Sequence, residues 1–116
     1  MNDATTTLAE LSKLVSDFVA ERAWEPFHDP KNLSASIAIE AAELMEHFQW
    51  LRSDELEAVK DDPAKMAEIA EELADILAYL LSFAGRMGID LSAALAAKME
   101  KNARKYPADK FRGRFQ

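Results

Sequence analysis

The chain contains no cysteine, which removes disulfide staples, a thiol nucleophile and any Cys-ligated zinc site. Glycine and proline are scarce, at 3 and 4 in 116 residues, so little interrupts long helices. No apolar run approaches the roughly 18 residues needed to span a bilayer. The opening residues, MNDATTTLAEL, carry neither a basic nor an apolar leader region. A soluble, cytoplasmic protein without a membrane partner is expected. Positive charge is also in deficit: 14 Lys and Arg against 21 Asp and Glu leave a net charge of −7. Nucleic acid and anionic membranes both demand a basic surface, so neither is expected as a partner, whereas an anionic ligand held through metal ions is compatible. What is there, 49% hydrophobic and 30% charged residues, is the composition of a globular chain able to bury its own core. One domain over 1–116 is expected, with 1–7 and 108–116 as peripheral tails.

The hydrophobic spacing is helical throughout, and an all-α fold is expected. Thr5 to Thr7 offer N-caps to a first helix in which Leu8, Leu11, Val15 and Val19 recur on one face up to about Ala23. Two prolines in WEPFHDPKN break it. Asp29 can cap a second helix with Pro30 in its first turn, running to about Leu51. A short turn capped by Ser53 leads to Pro63, where a third helix begins and runs to Met87, stopped by Gly88. Asp90 or Ser92 caps a fourth helix that reaches about Tyr106 and is ended by Pro107. The basic tail ADKFRGRFQ reads as loose or as packing material.

Two of these helices put a carboxylate where a core residue belongs. With Glu40 at zero and an advance of about 100° per residue, Leu33 and Leu51 fall near about 20° and Leu44 near about 40°. Ile37 follows near about 60° and Phe48 near about 80°, so Glu40 lies inside the apolar stripe. Glu43 falls at the margin, near about −60°, and Glu46 points away, near about −120°. The third helix repeats the device, with Glu72 among Ile69, Ile76, Leu80 and Phe83 and Asp75 at the margin.

A lone edge glutamate is ordinarily a solvated charge. Here no Lys or Arg lies in either stripe to offset a desolvation cost of several kcal/mol. A repeated, costly arrangement asks for a cation, and four carboxylates from two facing helices make an oxygen-only site suited to Mg²⁺ or Mn²⁺ rather than zinc. A di-iron carboxylate bundle would need Glu-x-x-His motifs. This chain has only His28 and His47, and Leu44 stands three residues before His47. His47 is left without a role.

The pattern Glu40-x-x-Glu43, 28 intervening residues and Glu72-x-x-Asp75 resembles the signature of the MazG-like superfamily of all-α nucleoside triphosphate pyrophosphohydrolases. More closely, WEPFHDPKNL, EAAELMEHFQW, EELADILAYLL, GIDL and KMEKNARKYP resemble, in order, the blocks of its dCTP pyrophosphatase branch, over roughly residues 8–107. The resemblance implies a four-helix MazG-like bundle completed by oligomerisation, as a dimer or a dimer of dimers. It implies hydrolysis of a (deoxy)nucleoside triphosphate, dCTP or a modified dCTP, to the monophosphate and pyrophosphate, with Mg²⁺ held by Glu40, Glu43, Glu72 and Asp75. Carried over position by position, Trp24, His28 and Trp50 would line a base pocket shared between subunits, and Tyr79, Asn102 and Tyr106 would sit near sugar and phosphates. Lys31, Lys98 and Lys105 match basic positions suited to phosphate oxygens. Ile39 departs from the Gly frequent before the first motif glutamate, which should alter packing rather than ligation. A carboxylate not saturated by metal would take the proton from water: Glu43 first, Glu46 second. The competing readings are a broad house-cleaning pyrophosphatase and a non-catalytic helical oligomerisation module.

Overall fold

The computed structural model describes residues 1–114, and every regular element among them is helical. Helix α1 spans Leu8–Glu21, α2 Pro30–Glu46, α3 Pro63–Met87, α4 Leu91–Lys105 and α5 Ala108–Phe111. Local chemistry starts each of the four long helices. Thr7 and Glu10 close a reciprocal capping box on α1, with the Glu10 amide donating to Thr7 Oγ1 at 3.1 Å. Asp29, Asp62 and Asp90 each accept a backbone N–H three residues on, at 2.8, 3.2 and 2.8 Å, and Pro30 and Pro63 occupy first-turn positions where no N–H is missed. Gly88 ends α3 at φ +68°, a left-handed conformation that a side chain would resist.

Helix α2 ends earlier than its hydrophobic period suggests, at Glu46 instead of about Leu51. From His47 onward the amides of His47, Phe48 and Leu51 all bond three residues back, to Leu44, Met45 and Phe48. The tighter turns let His47, Phe48 and Leu51 settle half-buried while Trp50 swings out to 85% exposure. Aromatic residues and histidine are mediocre helix formers, so HFQW resists this unwinding weakly. Helix α1 likewise stops at Glu21, with Ala23 at φ +52° turning the chain toward a 3₁₀ turn at Glu25–Phe27. The tail, expected to be loose or packing, packs: Phe111 of α5 meets Tyr106 edge to face at 5.3 Å. Residues 115–116 of that tail lie outside the described residues.

Helix α3 is the spine. α2 packs along it antiparallel, as His28 beside Tyr79 at one end and His47 beside Glu68 at the other require, and α1 packs on its C-terminal half. Leu33, Ile69, Val19, Leu81 and Ala84 form the buried core among the described residues. α4 leaves α3 at 98° and buries none of its residues. One chain therefore packs three long helices, and the fourth projects. No single helix among the described residues is long and apolar enough to cross a membrane.

This shape leaves much apolar surface uncovered. A monomer of this mass typically exposes about 6,300 Å², whereas the chain exposes 9186 Å². Its radius of gyration is 17.4 Å, against about 13 Å for a compact domain of this length. Leu95 and Met99 lie exposed four residues apart on α4, with Tyr106 exposed just beyond its end, and Leu73, Leu77 and Leu80 are exposed on α3. Leu81, by contrast, is in the core at 4% exposure. The excess of about 2,900 Å² is the size of a large obligate interface. Light scattering at low micromolar concentration is expected to return at least twice the 13.0 kDa chain mass; a monomeric mass would contradict the inference.

Candidate active site

The two motif helices face each other through their carboxylates. Glu40 and Glu43 of α2 and Glu72 of α3 each offer one oxygen to a common space in which the three lie within 4.8 Å of one another. Glu40 Oε2 and Glu72 Oε2 are both closed off from solvent and have no hydrogen-bond partner among the described residues. A buried oxygen without a donor loses the water it had in the unfolded chain and gains nothing in return. Burial, first, and then the proximity of Glu43, Asp75 and Glu72 push the Glu40 carboxyl up to about 7. Glu72 is raised by burial and by Glu43, while His47 pulls it the other way.

These features fit a hard divalent cation. Orphaned carboxylate oxygens converging from two rigid helices are donors of the type Mg²⁺ and Mn²⁺ prefer, and no soft ligand is present among them. Asp75, expected as the fourth ligand, does not join the three. It is exposed at the stripe's margin with a side chain one methylene shorter than Glu, and its charge is felt at Glu40. Glu46, expected as an alternative base, is exposed in the last turn of α2, outside the three-carboxylate group.

His47 is the residue that helical spacing left without a role. Just beyond α2, it lies 14% exposed with Nε2 3.6 Å from Glu72 Oε1 and Nδ1 3.8 Å from Glu68 Oε2. On a continuous helix its neighbours on α3 could not be read from the sequence; the signal available was only a histidine four residues after Glu43.

The other expected contacts are only partly assembled within one chain. His28 and Tyr79 come together, ring centroids 6.4 Å apart. His28 also lines a groove of about 490 Å³ between α1 and the C-terminal half of α3, walled by Val15, Val19, Leu81 and Arg86, and its Nδ1 is buried without a partner. Trp24 stacks edge to face on Phe18 at 5.9 Å and does not line this groove. Trp50 is exposed beyond the end of α2, and Lys31 is exposed in its first turn. Lys98, Asn102 and Lys105 ride on the projecting α4 and Tyr106 caps its end, where Lys105 sits 5.3 Å over the Tyr106 ring. Ile39 is 58% exposed, so its side chain adds to the uncovered surface rather than to the core of this chain.

The described residues thus form an all-α fold in which three carboxylates from two antiparallel helices converge. Residues 35–114 match the MazG-like family. The chain is 42% identical over 107 residues to dCTP pyrophosphatase 1 of Bos taurus, covering 92% of this chain and 63% of that protein. It is 42% identical over 102 residues to dCTP pyrophosphatase 1 of Homo sapiens, covering 88% and 60%. The crystal structure of a pyrophosphatase from Archaeoglobus fulgidus superposes with a TM-score of 0.80 at 41% identity, over 92% of this chain and 98% of that one. The chain belongs to the MazG-like family. It spans about three fifths of the length of the two mammalian relatives.

Proposed function

We propose that the chain is a metal-dependent nucleoside triphosphate pyrophosphohydrolase that converts dCTP or a modified dCTP to the monophosphate and pyrophosphate. The observation that carries the reading is the pair of buried, unpartnered oxygens on Glu40 and Glu72 beside Glu43, in a family whose members with the highest identities quoted above are named dCTP pyrophosphatases. Glu40, Glu43 and Glu72 would hold Mg²⁺ or Mn²⁺, with Asp75 at the edge of the group as the fourth acid. When bound, the cation supplies the positive charge that allows so acidic a site to accept a triphosphate, and it stabilises charge developing on the phosphate oxygens.

The chain's own residues do the rest. Glu43 is the most solvent-open of the three carboxylates, so it is the group best placed to accept a proton from the attacking water, with Glu46 one turn on as the alternative. His28, on the wall of the groove, and Tyr79 beside it hold the nucleoside. Lys31 meets the phosphates. Trp24, Trp50 and the α4 set of Lys98, Asn102, Lys105 and Tyr106 reach a nucleotide in the assembled oligomer, a dimer of dimers.

Incubation with Mg²⁺ and a panel of dCTP, 5-methyl-dCTP, dUTP, dTTP, dATP and ATP tests the reading. Pyrophosphate and monophosphate are expected, with the cytosine nucleotides turned over fastest. Inorganic phosphate as the primary product would overturn the pyrophosphohydrolase reading, and equal turnover of the whole panel would replace dCTP by the broad house-cleaning reading. Trp50→Ala supplies a second check. A side chain 85% exposed contributes little to folding of the single chain, so the variant is expected to melt near wild type yet raise KM for dCTP on the order of 10-fold, the loss of one stacked base. An unchanged KM would remove Trp50 from the base pocket.

A further inference from the structure

We propose that His47 is a positioning residue that holds Glu72 with one oxygen against the imidazole and the other turned to the cation. The inference rests on the metal site proposed above, and it concerns a side chain outside that ligand set. The two oxygens of Glu72 are divided: Oε1 faces His47 Nε2 at 3.6 Å, and Oε2 is buried with no partner. The far side of the ring meets Glu68 Oε2 at 3.8 Å.

Both separations are slightly longer than a hydrogen bond, so the ring is a neighbour poised to close on either carboxylate rather than a clasp already shut. The two acids differ in their freedom. The Glu72 side chain is 19% exposed on a rigid part of α3, whereas that of Glu68, one turn away, is 62% exposed. Glu68 can follow the ring, and the ring itself, 14% exposed, is held by the packing of α2 on α3. An imidazole braced in this way restricts which oxygen Glu72 can present. Ligating carboxylates are commonly oriented by a partner on their second oxygen, and loss of such a partner typically costs about 10–100-fold in metal affinity.

The end of α2 makes the contact. Its last turns tighten at His47, whose amide bonds to Leu44 O at 3.2 Å, so the imidazole is delivered at the seam between the helices.

Mn²⁺ titration of the full chain without nucleotide, followed by electron paramagnetic resonance, tests the proposal in wild type, His47→Leu, His47→Asn and Glu68→Gln. The leucine variant is expected to bind Mn²⁺ about 10–100-fold more weakly. The asparagine variant, which keeps an N–H donor, should recover most of that loss, and Glu68→Gln should stay near wild type. Melting in EDTA should be similar for the leucine and asparagine variants. Equal losses in both would assign His47 to packing and overturn the proposal, as would wild-type affinity in the leucine variant. Nitrogen hyperfine coupling on bound Mn²⁺ would make His47 a ligand and also overturn it. Failure of wild type to bind Mn²⁺ would bring down the metal site itself, a result distinct from the other three.

Discussion

Glu40→Gln is expected to lower turnover at least about 100-fold while leaving the metal-free chain as stable as wild type or more stable. The lower bound follows because loss of a mere partner to a ligand typically costs about 10–100-fold, and Glu40 is itself a proposed ligand. The stability half is the sharper test. Glu40 Oε2 is buried without a hydrogen-bond donor, and Glu43, Asp75 and Glu72 all press negative charge toward it. Glutamine has nearly the same volume and carries no charge, so it relieves both costs. A glutamate holding the fold together would behave in the opposite way, since removing one partner of a buried ion pair typically costs about 3–5 kcal/mol. Thermal unfolding in EDTA and in millimolar Mg²⁺ separates the two. Wild type should melt higher with Mg²⁺, because a cation bound only by the folded state stabilises it, and the variant should lose most of that gain. A variant that melts lower in EDTA and keeps its Mg²⁺ response would make Glu40 structural.

Metal-free wild type is expected to lose stability as pH rises from 5 to 8, and Mg²⁺ to restore it most at the alkaline end. The sign follows from the direction of the shift. Glu40 is raised from 4.5 to about 7 in the folded chain, so between those values the folded state holds a proton that the unfolded state has released. That contribution is fully present below 4.5 and lost as pH passes through about 7. Glu72, raised by burial and Glu43, adds in the same direction. Mg²⁺ binds the deprotonated carboxylates and therefore gains affinity over the same window. The Mg²⁺-induced rise in Tm should be larger at pH 8 than at pH 5, on the order of 5 °C, the shift that about 1 kcal/mol produces in a small domain. Glu40→Gln is the control, because the other acids titrate in both proteins. Its Tm in EDTA should depend less steeply on pH over this range, and parallel curves for the two proteins would show that Glu40 is not the group responsible.

The legible parts of this protein are those set by short-range chemistry. Thr7, Asp29 and Asp90 cap helices through bonds to amides three residues away, Pro63 opens another and Gly88 ends it through its own φ, so a few neighbouring letters sufficed to start four long helices and stop the third. Period alone likewise put Glu40 and Glu72 on apolar faces, because a helix converts spacing directly into direction. The end of α2 was illegible for the complementary reason. HFQW contains no glycine or proline, and its turn is decided by what His47, Phe48 and Leu51 gain against the rest of the fold.

The sequence by itself determined the helical class, the helix starts and the unusual carboxylates. Only the tertiary structure decided that Glu40, Glu43 and Glu72 share one space while Asp75 stands at its edge, that His47 stands beside Glu72, and that Leu81 is covered while Leu77 is not. It also decided that α4 turns away at 98° with its apolar residues uncovered. A helix's direction and periodicity are local properties of one segment, whereas proximity between segments depends on crossing geometry and on which surfaces exclude water together, and no single segment encodes either.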